Sequence, residues 1–268
     1  MRDTTTFHLT RRRLLAMTGV SAVAAGLGHG RAGTAAQTPM ASPTGDPEAV
    51  ALLQEAARTM AELETFHFEM ETVQGTTTLM GGLVLEGIEG DVRRPQDFRT
   101  EIRAGVPFGT VDVTVVGVEG RIWITDPLAG EETWILLVDG SAGGGNEAAE
   151  ITTLANPDTL ILEAVAVIQE ARIGGQETID GAETTRIDGT VDLAAAAQAA
   201  VGTPVALPPE VSPEPIPTSI WIDAQRRIIE VELAGPLLVS ENADVIRVVR
   251  FTAFNEPVEI APPENVAQ

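Results

Sequence analysis

The chain has 268 residues, a formal net charge of −22 and no cysteine. Binding to nucleic acid or to an anionic membrane surface depends on Lys and Arg, so the acidic balance argues against both partners. Because 44% of the residues are hydrophobic, the chain can build a sizeable core, and without cysteine we expect no disulfide, no thiol nucleophile and no lipid attached through a thiol.

The N-terminal segment has the pattern of an export signal. Arginines at 11–13 precede two leucines and a short apolar run rich in Gly and Ala, which is typical of the twin-arginine route. Small residues at 34–36 favour cleavage after that position, and a leader retained as an anchor is the alternative. We therefore predict a signal peptide over 1–36, a flexible tether over 37–45 and a single folded domain over 46–268. The folded domain is expected outside the cytoplasm, in the cell envelope or secreted.

The folded part is predicted to begin with a helix followed by a strand. Asp46 to Glu48 provides an N-cap, a first-turn proline and an acid, and apolar residues recur at helical spacing up to Leu63. The period then becomes two, with Phe66, Phe68 and Met70 on one side of a strand. Further strands are expected at about 79–90, 98–104, 110–118, 121–125 and 133–138. Hairpin connections favour antiparallel pairing, and a long meander with glycine kinks tends to curl.

A Gly-rich segment at 140–150 separates these strands from a second predicted helix. We interpret the segment as a solvated connector, with a mobile lid as the alternative. Asn156-Pro157 is expected to cap the helix, which should run through Ala171 and is apolar around most of its circumference. That pattern is typical of a helix that is buried against a sheet or lines an apolar cavity.

The next stretch predicts a hairpin. Asp180-Gly181 lies between two Thr/Ile-rich runs within 174–191, and this residue pair favours a type I′ turn. Asp192 can then cap a short Ala-rich helix. The proline-rich segment 203–218 is predicted to lie outside the sheet, because proline cannot donate to a ladder. Three closing strands are expected at 219–223, 228–233 and 245–254.

Motifs for catalysis and metal binding are weak. His67 is the single histidine outside the leader, so the usual zinc set and a Ser-His pair both lack partners, and no G-x-S-x-G elbow occurs. Paired acids such as Glu131-Glu132, or Glu69 with Glu71, could serve a glycosidase or calcium site in principle, but we interpret them as solvated surface acids. No phosphate-binding or dinucleotide-binding glycine motif is present. We therefore expect no catalytic residue, no metal and no cofactor.

The three tryptophans, Trp123, Trp134 and Trp221, all fall in predicted strands. We interpret them as residues of the core or of a sheet face. Contact with a ligand tail or with a membrane interface is the alternative.

Several short sequences, taken in order, resemble the LppX/LprG (LppX_LprAFG) lipoprotein family of lipid carriers, which is similar in shape to the LolA and LolB lipoprotein carriers. The matching pieces are Phe66-His67-Phe68, Gly90 to Pro95, Asn156-Pro157-Asp158, Gly175 to Val191, Trp221-Ile222-Asp223 and Glu256-Pro257-Val258 before Ala261-Pro262. None of them is a catalytic signature, and the specificity lies in their order and spacing. The lipidated members of the family are anchored through a cysteine, which this chain lacks.

The resemblance and the predicted elements together imply an α+β fold. We expect a strongly curved antiparallel half-barrel sheet of about ten to eleven strands, with a few helices on its concave face. The resemblance implies a non-enzymatic protein that binds and transports a lipid or lipidated glycan, with acyl chains in an apolar cavity between sheet and helices. The candidate ligand-binding residues, chosen from apolar periodicity, are Phe66, Phe68, Met70, Leu83, Leu85, Val113, Val115, Ile122, Ile124, Leu160, Val165 and Ile168. A filled core is the alternative interpretation of these residues.

Two other functions stay open at this point. One is a cell-envelope module of the same fold that senses or binds a protein partner, and the other is a hydrolase of envelope polymers. For the carrier we expect a monomer that contacts the membrane transiently at most and does not bind nucleic acid.

Overall fold

The computed structural model describes most of the predicted folded domain. The described residues are 43–78, 84–106, 109–126, 129, 133–139, 164–201, 211–237, 239, 241–264 and 266. The predicted signal peptide, the first part of the predicted tether, the segment at 140–150 and the predicted cap Asn156-Pro157 lie outside the described residues.

Two helices and twelve strands are assigned within this part of the chain. The helices are α1 (Pro47–Glu62) and α2 (Leu193–Val201), and residues 164–167 are also helical. The strands are β1 (Thr65–Gln74), β2 (Thr77–Thr78), β3 (Val84–Arg93), β4 (Asp97–Val106), β5 (Gly109–Val118), β6 (Arg121–Thr125), β7 (Trp134–Val138), β8 (Gln169–Ile179), β9 (Ala182–Val191), β10 (Ile216–Asp223), β11 (Ile228–Ala234) and β12 (Ile246–Thr252).

These strands form one antiparallel sheet built from two meanders. The order is β7-β6-β5-β4-β3-β1-β12-β11-β10-β9-β8, and β2 pairs with β3 beside this path. The meanders join where β1 pairs with β12, with Phe68 opposite Phe251 and Met70 opposite Val249. The first and last of the described strands therefore lie side by side in the middle of the sheet.

One face of the sheet is apolar and forms the main core. In β1, Phe66 and Phe68 are buried, whereas Glu69 and Glu71 on the opposite face are exposed. The buried stripe of α1 belongs to the same hydrophobic cluster, and α1 contacts β8 and β11. An amphipathic helix and a sheet with one apolar face bury both surfaces by packing together. We call this face of the sheet the inner face.

A smaller core lies on the opposite, outer face of the sheet. Trp123 and Trp134 pack there with Val116 and Val118 of β5, and the chain after β12 covers them with Ile260. Both tryptophans are 5% exposed, so their interpretation as sheet-face core residues is confirmed. The C-terminal segment thus protects part of the outer face at one end of the sheet.

Most predicted strands are confirmed, with boundaries shifted by a few residues. The described residues of the predicted strand 79–90 lie in β3, which extends to Arg93. The predicted strand 245–254 is shorter in the structure, where it is β12. The predicted hairpin is confirmed at its turn, where φ is 48° at Asp180 and 83° at Gly181. Positive φ at both central residues is what a type I′ turn requires.

The predicted cap of the Ala-rich helix is also confirmed. Asp192 Oδ1 accepts hydrogen bonds from the backbone N–H groups of Ala194 at 2.8 Å and Ala195 at 3.1 Å. These bonds satisfy donors in the first turn of α2 that have no partner within the helix.

The prediction that the second helix runs through Ala171 is wrong. Helical residues end at 167, and β8 begins at Gln169, where it pairs with Thr190 of β9. The apolar run misled the prediction because periodicity alone does not separate a buried helix from the start of a buried strand. Hydrogen bonds with residues 44–46 and with β9 hold the segment in the extended form.

The prediction that 203–218 lies outside the sheet is wrong at its end. β10 begins at Ile216, and Pro217 pairs with Thr190 of β9. The ladder between β10 and β11 begins at Thr218, so Pro217 has a neighbouring strand on one side only. A strand residue without a second neighbour can lack its N–H at little cost.

The start of α1 differs from the prediction in one detail. Asp46 is the N-cap and Pro47 follows it, but the Asp46 side chain makes no capping hydrogen bond. The Asp46 N–H instead donates to Ala171 O at 2.8 Å, and Thr44 exchanges backbone hydrogen bonds with Ile168 and Ala171. Residues 44 and 45, which the prediction assigned to the tether, are therefore attached to the beginning of β8.

Candidate ligand-binding face

The candidate site is the inner face of the sheet together with residues 164–168, which pack against it. Ten of the twelve candidates are described, and all ten belong to one hydrophobic cluster or pack against it. Leu83 and Leu160 lie outside the described residues. The buried candidates are Phe66, Phe68, Leu85, Val115, Ile122, Val165 and Ile168, and the partly buried ones are Met70, Val113 and Ile124.

An unbroken apolar row crosses the inner face. Cross-strand pairing connects one apolar residue on each of eight adjacent strands, from β9 to β5. The row consists of Ile187, Ile220, Val231, Val249, Met70, Ile88, Ile102 and Val113. With about 4.8 Å between strands, this row is about 34 Å long when measured along the sheet. It spans both meanders without a polar side chain.

Sequence reasoning missed most of this row. Only Met70 and Val113 were among the candidates, although Ile187 and the closing strands show the same period of two. The period identifies which residues of a strand share a face, but the pairing that aligns them across strands is a property of the whole sheet.

Aromatic and cationic contacts fix the end of the inner face near α1. The rings of Phe66 and Phe251 are 5.9 Å apart in an edge-to-face arrangement. Arg94, in the turn between β3 and β4, lies over Phe66 and donates to the backbone O of Met60 and Leu63 at the end of α1. These contacts hold α1 against the first strand.

The two meanders differ in how their inner faces are covered. α1 and residues 164–168 bury the side that includes Ile187, Ile220 and Ile228. In the other meander, Met70, Val113 and Ile124 keep partial exposure on the inner face. Partly exposed apolar residues of the inner face therefore remain on the β1–β6 side, and at the other end of the sheet Ile173 of β8, opposite Ile187, is 41% exposed.

One charged pair lies on the inner face and was also missed by sequence reasoning. Arg247 has the same orientation on β12 as Val249 and Phe251, and its Nη2 is 2.5 Å from Glu241 Oε1. Both side chains are fully buried. The signal in the sequence is an arginine at a position of the alternating strand where an apolar residue is expected.

The outer face is polar and predominantly acidic. A groove there is lined by Glu69, Glu71, Glu86, Glu89, Glu101 and Asp112, together with Arg103. Arg103 Nε donates to Asp112 Oδ1 at 3.0 Å, and Arg250 Nη1 donates to Glu71 Oε2 at 3.2 Å. These pairs place two positive charges among the acids of this surface.

His67 lies on this outer face, where its Nδ1 is 2.9 Å from Asp91 Oδ1 and its Nε2 is 3.8 Å from Glu69. Among the described residues, no group of three or more His, Cys, Asp or Glu is arranged to hold a metal ion. On the same face, burial and the neighbouring Glu230 raise the pKa of Glu232 above its ordinary value.

The fold and the site together define a class of α+β proteins in which one antiparallel sheet presents an apolar face to covering helices. The chain belongs to the LppX_LprAFG lipoprotein family, whose model matches residues 46–260. The family resemblance inferred from the short motifs is therefore confirmed. The further likeness to LolA and LolB stays a prediction.

Three relatives illustrate the relationship. The lipoarabinomannan carrier protein LprG of Mycobacterium bovis (strain BCG / Pasteur 1173P2) is 27% identical over 220 residues, which cover 80% of each chain. The crystal structure of lipoprotein LppX from Mycobacterium tuberculosis aligns with a TM-score of 0.51 and 18% identity, over 81% of this chain and 100% of that one. LprF from Mycobacterium bovis aligns with a TM-score of 0.55 and 17% identity, over 82% of this chain and 99% of that one. The two structures are similar to this chain in fold.

Within the described residues, no helix is both long and apolar enough to cross a membrane.

Proposed function

We propose that this protein binds a lipid or lipidated glycan outside the cytoplasm and carries it without catalysing a reaction. The observation that supports this function best is the apolar row across eight adjacent strands of the inner face. Membership of a lipoprotein family that includes a relative named as a lipoarabinomannan carrier agrees with it.

In this proposal the acyl chains lie between the sheet and its helices. Each CH₂ group that moves from water into such an environment gains roughly 0.8 kcal/mol, so a long chain is held without specific polar contacts. A sheet of this many strands tends to coil, and curvature around the helices would give the half-barrel with a concave inner face that we propose. The partly buried Met70, Val113 and Ile124 are among the described residues whose remaining exposure a ligand would cover.

The proposed binding residues are the twelve candidates from the sequence, including Leu83 and Leu160, extended by the rest of the apolar row. The proposal is non-enzymatic because the inner face supplies apolar contact rather than a nucleophile with a base. His67, which any histidine-dependent mechanism would need, lies on the outer face beside Asp91.

The proposed location follows from the leader. Export by the twin-arginine route would deliver the folded domain beyond the cytoplasmic membrane, as a monomer with transient membrane contact. Since the chain has no cysteine, we propose that any attachment to the membrane uses the leader itself rather than a thiol-linked lipid.

The test is lipid extraction and native mass spectrometry of the exported protein purified from its own envelope fraction. We expect a stoichiometric acyl-containing ligand, and we expect delipidated protein to take up a lipid from vesicles of total envelope lipid. Protein that neither copurifies with lipid nor takes it up contradicts the proposal. Capture of a stoichiometric protein partner in the same preparation, without lipid, supports the interaction module instead.

A further inference from the structure

Arg247 is a charged residue on the apolar inner face of the sheet. It lies on β12, in register with Thr72 of β1 and Leu233 of β11, and its side chain is 0% exposed. Because strand residues alternate, it projects to the same side as Val249 and Phe251, which belong to the main hydrophobic cluster. Arg250, on the same strand but on the outer face, is 36% exposed.

Not every N–H of the Arg247 guanidinium has a hydrogen-bond partner among the described residues. Nη2 contacts Glu241 Oε1 at 2.5 Å, and Nη1 donates to Gly235 O at 3.1 Å. Nε is buried and has no hydrogen-bond partner among the described residues. A buried donor without a partner is unfavourable, and a planar fork of N–H groups is suited to bidentate contact with a phosphate or carboxylate.

A buried ion pair is weak evidence of a gain in stability. Removing two charges from water is so unfavourable that apolar residues of similar size often give an equally stable protein. Glu241 belongs to the segment between β11 and β12, where its Oε2 also accepts a hydrogen bond from the Leu237 N–H at 2.9 Å. The charged pair therefore joins this connecting segment to the inner face of the sheet.

The position of Arg247 suits an amphiphilic ligand. It is the second residue of β12, and its partners Thr72 and Leu233 are close to the ends of β1 and β11. Val249, two residues further along β12, is part of the apolar row. A ligand with acyl chains along the row and its charged group at the margin of the sheet would meet apolar residues and Arg247 at the same time.

We propose that Arg247 binds an anionic oxygen group of the carried ligand, a phosphate or a carboxylate, and that Glu241 holds this position in the structure until the ligand replaces it. This inference rests on the proposed function. Exchange of one anion for another keeps the Arg247 guanidinium paired with a negative charge, and the Glu241 carboxylate is released to the solvent. The inner face thus selects acyl ligands by the charge of the head group as well as by apolar contact.

The experiment compares two ligands with the same acyl chain, 1-palmitoyl lysophosphatidic acid and 1-monopalmitoylglycerol, with inorganic phosphate as a third probe. Dissociation constants are measured by displacement of a fluorescent fatty acid from delipidated protein. We expect the phosphate-bearing lipid to bind about tenfold more tightly than the neutral one, a factor that corresponds to ~1.4 kcal/mol. The double variant Arg247→Met with Glu241→Leu, which fills the site with apolar side chains, should bind both lipids equally.

The single variant Glu241→Gln separates a binding role from a structural one. It removes the competing charge, so we expect several-fold tighter binding of the phosphate-bearing lipid and no change for monopalmitoylglycerol. If Glu241→Gln lowers thermal stability without tightening the phosphate-bearing lipid, the pair is structural and the inference fails.

The remaining outcomes separate the two proposals. Equal binding of both lipids by the natural protein overturns the inference and leaves the carrier function intact, whereas binding of neither lipid contradicts the carrier function itself. If inorganic phosphate binds as tightly as the phosphate-bearing lipid, the site takes a free anion and the head-group assignment is wrong.

Discussion

The guanidinium of Arg94 lies 5.4 Å from the centre of the Phe66 ring. The same group donates to Leu63 O at 2.7 Å and also to Met60 O, so it binds the last carbonyls of α1 while it covers an aromatic residue of β1. A cation at the C-terminus of a helix interacts favourably with the helix dipole. One side chain in the β3–β4 turn therefore holds the helix to the apolar face.

Arg94→Ala should destabilise the protein by about 2 kcal/mol, because it removes both the contacts with the helix carbonyls and the cation–π contact. Urea denaturation measures this change. Arg58→Ala, at an exposed position of α1, is the matched control and should change stability by less than about 0.5 kcal/mol. Similar effects of the two variants would show that Arg94 does not hold the helix.

Gly181→Ala should destabilise the β8–β9 hairpin by about 1 to 2 kcal/mol, since a residue with a Cβ is strained at the φ of 83° that the turn imposes. Thermal unfolding followed by circular dichroism checks the result. Gly87→Ala is the control, because its added Cβ meets only Met70 O at 3.8 Å, an ordinary contact. A Gly181 variant as stable as the natural protein would contradict the type I′ assignment.

Glu232→Gln should stabilise the protein at pH 7, and this difference should vanish in acid. The pKa of Glu232 is raised in the folded state, first by burial and then by Glu230, so the charged form is disfavoured by folding. The protonated side chain stabilises the folded state below pH 4.5, the ordinary pKa of a glutamate. This contribution is lost as the pH rises through the pKa of the folded state.

Calorimetric melting temperatures at pH 7 and pH 4 test this dependence. Glu183→Gln, at an exposed position of β9, serves as the control and should give the same small change at both pH values. A Glu232→Gln variant that is less stable than the natural protein at pH 7 would reverse the expected sign.

Val113→Trp should reduce lipid uptake, because a large side chain at this partly exposed position of the inner face occupies space that we assign to acyl chains. Uptake of a fluorescent fatty acid by the delipidated protein gives the measurement, and a loss of at least about tenfold, or ~1.4 kcal/mol, is expected. Val73→Trp places the same side chain on the exposed outer face of β1, where Val73 is 52% exposed, and should leave uptake unchanged. Unchanged uptake in both variants argues for a filled core at Val113.

The sequence predicted individual elements where the signal is local. The Asp180-Gly181 turn, the Asp192 cap and the alternation in β1 each depend on residues within a few positions of one another, and each is found in the structure. Predictions failed where a distant strand decides the conformation. Pro217 lies in a strand because β11 ends beside it, and Ala171 is extended because β9 and residues 44–46 bind that segment.

By itself, the amino-acid order determined that most strands have one apolar side, that they are joined by hairpins and that the chain belongs to the LppX_LprAFG lipoprotein family. The tertiary structure alone decided that β1 and β12 pair, which joins two meanders and aligns eight apolar residues in one row. It also decided that Arg247, on the same face of β12 as Val249, is buried against Glu241. The physical reason is that side-chain alternation is fixed within each strand, whereas register and burial are fixed by hydrogen bonds and packing between residues far apart in the chain.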